Sequence, residues 1–190
     1  NWLNELYMAI QKQLVLVLTY QSFKAKRAND IVFHPYLLKE FNNRWFLVGY
    51  KNKRKKLGTL ALDRIIKIDY DFTIPYHLVD FNTEQYYKNV IGITVNEGEP
   101  PQQITLWIDK SNAPYVITKP LHSSQVLKEQ LADGSIYITI TVQFNYELER
   151  LILGFGEAIK VISPNRFRNR IAKKIETANS YYQKTLGKDS

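Results

Sequence analysis

Residues 34–65 read HPYLLKEFNNRWFLVGYKNKRKKLGTLALDRI, and the fold of the first third of the chain turns on them. Two aromatic and aliphatic runs, 31–41 and 44–51, flank Asn42 and Asn43. Asn tolerates the positive φ that a two-residue turn demands, so this spacing predicts a β-hairpin. Pro35 lies inside the first run; it has no N–H for a ladder, which assigns it to a sheet edge or a bulge. The basic break KNKRKK at 51–56 leads into LGTLALDRIIKIDY at 57–70, read as a further strand pair or one bent strand. Upstream, Trp2, Leu3, Leu6 and Ile10 follow a helical period, and residues 14–23 form an apolar, β-branched run expected of a buried strand. A polar turn at 24–30 separates it from the hairpin. A helix followed by four or five short antiparallel strands predicts a small β-barrel over 1–70.

Residues 71–89, DFTIPYHLVDFNTEQYYKN, lose the periodicity but carry five aromatic residues and no Gly or Ser, so they are expected to be a packed connector. From 90 to 190 the pattern alternates: strands at 90–95 and 102–109, a helix at 111–118, strands at 121–130 and 135–144, a helix at 145–155, a strand at 157–164, and a long helix from Asn165. That order is the split βαβ arrangement of ferredoxin-like folds. Asn145 and Ser163 are the expected N-caps, and Gly154 or Gly156 a helix stop. The predicted fold class is therefore α+β.

The 190 residues contain no Cys, which excludes a disulfide framework and thiolate metal sites and fits a cytoplasmic protein. No apolar run approaches the ~20 residues needed to span a bilayer, so no membrane role is expected. The net charge is +8 and is unevenly spread. Residues 1–69 hold thirteen Lys and Arg against five acids, whereas 70–190 hold thirteen of each. A local positive field of this kind favours polyanions, which release counterions when their phosphates are neutralised.

Motifs for catalysis are missing. His34, His77 and His122 lack metal-ligand spacing and are read as structural, hydrogen-bonded residues. Asp69 with Asp71, and Glu147 with Glu149, are read as exposed alternating positions. GFGEA at 154–158 follows a helix and precedes a strand, the reverse of a dinucleotide fingerprint, and is read as a turn. An enzyme is not expected, and no cofactor or metal is implied. Arg beside aromatic residues in the hairpin is instead the composition that holds phosphates and stacks bases.

PYLLKE, NRWFLVGY and LALDRI together resemble the WYL domain, whose Trp-Tyr-Leu triplet corresponds here to Trp45, Phe46 and Leu47. FNTEQYYKNVIGITV, HSSQ and LILGFGEAIKVISPNRFRNRIAKKI are similar to the connector and C-terminal extension found behind such domains. The resemblance implies an Sm/SH3-like β-barrel over 1–70, a connector over 71–89, and a ferredoxin-like extension over 90–190. It also implies the sensing and dimerising portion of a bacterial transcriptional regulator, expected to form a homodimer and to reach DNA through a winged helix-turn-helix that a chain starting at Asn1 does not carry. A nucleic-acid or nucleotide-like phosphate ligand would sit on Tyr20, His34, Tyr36, Lys39, Arg44, Trp45 and Arg64. Two positions depart from the pattern: Phe46 lacks the phenol of the family's Tyr, and Gly58 stands where many members carry Arg. Arg166, Arg168 and Arg170 on the last helix form a second basic cluster, expected near a subunit boundary or the ligand groove. The alternative is a protein-docking or dimerisation scaffold whose basic residues only keep it soluble.

Overall fold

A computed structural model describes the backbone of residues 2–186 and the side chains of residues 2–183. The chain divides into two compact units, Asn1–Thr83 and Glu84–Ser190.

The first unit begins with α1 (Leu3–Gln11), which buries Leu6 and Ala9, while the Trp2 indole donates to the Ile65 carbonyl at 3.0 Å. Strands β1 (Leu16–Tyr20), β2 (Asn29–Phe41), β3 (Arg44–Lys51), β4 (Lys56–Ala61) and β5 (Ile65–Tyr70) follow. The sheet order is β4-β3-β2-β1-β5, antiparallel at every pairing. Along β1, Leu16, Leu18 and Tyr20 point into the core and meet Phe33, Leu47, Leu60 and Ile65 beneath α1. Asn42 and Asn43 adopt φ of 51° and 59°, joining β2 to β3 in the expected two-residue turn. Pro35 sits at a register shift between Pro35 and Leu37, so the missing N–H costs no ladder bond. Gly49, across from it, has no room for a side chain: a Cβ would lie 2.1 Å from the His34 carbonyl oxygen.

The expected barrel does not close. β4 and β5 are the two edges of the sheet, yet only the 3-10 turn Leu62–Arg64 joins them. Three linking residues reach no more than ~14 Å from strand to strand, so the sheet must curl until its edges approach. Among the described residues no ladder joins β4 to β5.

The second unit contains β6 (Gln102–Ile108), α3 (Ala113–Thr118), β7 (Val126–Gln130), β8 (Ile136–Val142), α4 (Tyr146–Gly154), β9 (Ile159–Ser163) and α5 (Asn165–Leu186), preceded by the short α2 (Thr83–Tyr87). Its antiparallel sheet runs β7-β8-β6-β9. Ile104, Leu106 and Ile108 alternate on β6 and face Ile136, Ile138 and Ile140 of β8, all fully buried. Phe167 of α5 closes the core against Phe144, their ring centroids 4.7 Å apart.

Four local expectations are corrected. Residues 90–95 form no strand, because their carbonyls are met by a side chain: Asn145 Nδ2 donates to Ile91 O at 2.8 Å and Thr94 O at 2.9 Å. Residues 121–125 are irregular, and only Val126–Gln130 pair. Ser163 ends β9 instead of capping α5, where the Pro164 carbonyl accepts from Phe167 and Arg168. Glu149 is not exposed but 2% accessible, held by Arg170 and by Lys174 at 3.1 Å, both on α5. Asn145 does cap α4, accepting from Leu148 N at 2.8 Å.

Candidate functional site

The residues expected on one ligand face divide into two groups in the first unit, one open and one covered.

The open group surrounds the 3-10 turn after β4. Asp63 lies between two guanidiniums, with Arg44 Nε at 3.2 Å from Oδ2 and Arg64 Nε at 3.9 Å from Oδ1. The β2–β3 hairpin delivers Arg44 to this point, and the turn itself supplies Asp63 and Arg64. Arg64 also lies over the Phe23 ring, 4.3 Å from its centroid, a cation–π arrangement. Its Nε is buried with no hydrogen-bond partner. Between residues 21–25 and 63–66 lies an open groove of about 360 Å³, walled by Phe23 and Arg64. Gln21 fixes its rim: its N–H donates to Arg64 O at 3.1 Å and its side chain to Ala25 O at 3.2 Å. Trp45, next to Arg44 on β3, is exposed. The arrangement offers guanidinium donors and flat aromatic surface to a planar anion, with one carboxylate already competing for the cations.

Phe23, Gln21 and Asp63 escaped the sequence reading. Phe23 ends the apolar run expected to be a strand, whereas β1 stops at Tyr20 and leaves Phe23 75% exposed.

The covered group is His34, Tyr36 and Tyr50 on β2 and β3, overlaid by residues 71–82. Within this segment Tyr76, His77 and Phe81 pack, whereas Phe72 and Leu78 are exposed. The His77 imidazole stacks on Tyr50 with centroids 3.9 Å apart and planes 5° from parallel. The His77 backbone N–H donates to His34 Nδ1 at 3.0 Å. Tyr36 donates its hydroxyl proton to His77 O at 2.7 Å and lies 2.8 Å from His77 Nδ1. With its one proton given to the carbonyl, the phenol oxygen is left to accept from Nδ1–H. Tyr76 donates to the Pro35 carbonyl, and Phe81 packs 5.7 Å from the Tyr36 ring. Burial pushes the Tyr36 phenol well above its usual range, with Tyr76 and Tyr50 adding to the shift, and raises Tyr76 to about 12. Burial lowers His34, reinforced by His77.

The remaining candidates are scattered. Tyr20 is a core residue whose hydroxyl accepts from Ala61 N at 3.4 Å. Lys39 is half-buried on β2 opposite Phe46. In the second unit Arg166 and Arg168 are exposed, whereas Arg170 is engaged by Glu149. Among the described residues no cluster of His, Asp or Glu is able to hold a metal ion, and no helix is long and apolar enough to cross a membrane.

Comparison with known families agrees with this two-part chain. The WYL domain model matches residues 1–69 and the WCX domain model residues 100–178. No curated protein is measurably similar. Among solved structures, Proteasome accessory factor B/C (PafBC) of Arthrobacter aurescens is 22% identical with a TM-score of 0.41, covering 94% of this chain and 27% of that one. A CRISPR Cas-related protein is 11% identical with a TM-score of 0.57, covering 95% of this chain and 51% of that one. This chain thus spans about a quarter of the first of these structures and about half of the second.

Proposed function

The chain belongs to the WYL-domain proteins, with a WCX domain behind the WYL domain, and from that premise we propose that it is the ligand-sensing and dimerising portion of a bacterial transcriptional regulator acting in the cytoplasm. In this reading the curled five-stranded sheet is an Sm-like half-barrel. The second unit is a ferredoxin-like extension, a reading supported by its strand order β7-β8-β6-β9.

A nucleic-acid or nucleotide-like phosphate ligand binds along the basic face, with Arg64 at the groove beside Phe23, Arg44 reaching Asp63 at its rim, and Trp45 exposed next to Arg44 on β3. The carrying observation is that Arg44 and Arg64, distant in sequence, converge on a single carboxylate at the rim of an aromatic-walled groove. Lys39 and residues 51–56 extend the positive field along the same unit. Binding shifts the population between two dimer arrangements and so repositions a DNA-binding domain elsewhere in the regulator.

The test is titration of a fluorescent short single-stranded oligonucleotide at two salt concentrations, with Arg44→Ala and Arg64→Ala alongside. The expected result is a log K that falls steeply with log salt, and a slope reduced by about one in each variant. Binding that ignores salt and both substitutions would refute the reading.

A docking scaffold without a small ligand is the second reading, favoured by one observation: α5 leaves Ile175, Tyr181 and Tyr182 exposed. Under it, sedimentation detects self-association that is weakened by Ile175→Glu while no oligonucleotide binds.

A further inference from the structure

Residues 71–82 lie over β2 and β3 through contacts to Pro35, Tyr36, Tyr50 and the buried His34. His34 is 1% exposed, and its Nδ1 is the acceptor for the His77 backbone N–H. Only a neutral imidazole with its proton on Nε2 fills that role. A second proton would go onto Nδ1, setting one donor against another at 3.0 Å and leaving a buried charge. Nothing in the surroundings compensates. The rings facing His34 are Tyr50 from β3 and Tyr76 and His77 from the overlying segment, and among the described residues no carboxylate contacts it. His77 differs, because what it offers His34 as a hydrogen-bond donor is its backbone N–H and not its ring.

We propose that residues 71–82 are a strap latched by neutral His34 and released from the β2–β3 aromatic surface when His34 is protonated. Released, the strap uncovers Tyr36 and Tyr50 while the sheet beneath keeps its ladder. The direction follows from the burial that lowers His34 below its ordinary 6.5. The docked form binds the proton less well than the open form, so latching is complete above pH 6.5 and weakens progressively as pH falls below it.

The experiment is a ligand-free NMR titration of the full chain from pH 8 to pH 4.5, following the Tyr76 and His77 amides, the Tyr36 and Tyr50 ring signals and the two His side chains. The strap signals are expected to move together in one transition below pH 6.5, while the amides of α1 and of the second unit stay in place. In His77→Gln, which keeps the backbone donor, the transition persists. In His34→Gln, whose side-chain oxygen accepts the same N–H without titrating, it disappears. A strap that stays docked while His34 titrates, or a transition abolished by His77→Gln, overturns the proposal. The His77→Gln result decides the matter even where His34→Gln does not fold. No ligand is added, so this outcome is independent of oligonucleotide binding.

Discussion

The Arg44–Asp63–Arg64 groove and the His34–Tyr36–Tyr50 cluster lie in the same unit, and both carry residues expected to face a ligand, but they obey different physics. The groove is charged, open and loosely paired: Arg44 and Asp63 are 46% and 41% exposed at their side chains. Such pairs contribute about 0–1 kcal/mol and weaken with salt. The cluster is roofed, and hydrogen bonds to backbone atoms hold it together. Its bonds are part-buried, so losing one leaves a partner incompletely solvated, at a cost of about 1 kcal/mol. A charged surface stays available to a polyanion, whereas an apolar aromatic surface is quickly claimed by the chain itself.

Substitutions sharpen that contrast, the largest effect first. Gly49→Ala forces a Cβ into the His34 carbonyl and should cost about 2–3 kcal/mol in denaturant unfolding of the first unit. Stability unchanged within 0.5 kcal/mol, a threshold of roughly the scatter for surface changes, would mean the β2–β3 contact is looser than described. Tyr36→Phe removes the hydroxyl that serves His77; the strap amides should exchange about tenfold faster, corresponding to roughly 1–1.5 kcal/mol, with no change in the salt dependence of oligonucleotide binding. Asp63→Asn has the smallest effect on stability, about 0.5 kcal/mol or less. It frees both guanidiniums from their shared carboxylate, so oligonucleotide affinity should rise and the salt slope steepen by about one. Asp69→Asn, which releases only Lys67, makes the same change in net charge and is the control. Equal gains from both would assign the effect to overall charge and not to the groove.

Much of the architecture was legible because it depends on neighbours in sequence. The Asn42–Asn43 turn, the period of α1, the alternation along β6 and β8, the Asn145 cap and the Pro35 bulge each follow from a few adjacent residues. Of the aromatic residues of 71–89 on which packing was expected, Tyr76 and Phe81 pack on β2 and Phe72 does not. Charge counting located the basic third, and the PYLLKE, NRWFLVGY and LALDRI segments carried the WYL resemblance.

Other features were not legible, since they arise from partners well beyond the local window, as distant in sequence as Asn145 is from Ile91. Nothing near His34 in sequence says that residue 77 will stack on Tyr50 and donate to its imidazole. Nothing near Glu149 reveals that α5 will bring Arg170 and Lys174 to it, turning an apparent surface carboxylate into a buried one. The 90–95 run had strand-forming residues but lost its strand to the Asn145 side chain. Local sequence thus determined most of the helices, strands and turns, though not the 90–95 run, because backbone preference and side-chain period act over a few residues. The tertiary structure alone decided which of the candidate residues remained open and which were covered, because burial depends on distant segments competing for the same surface.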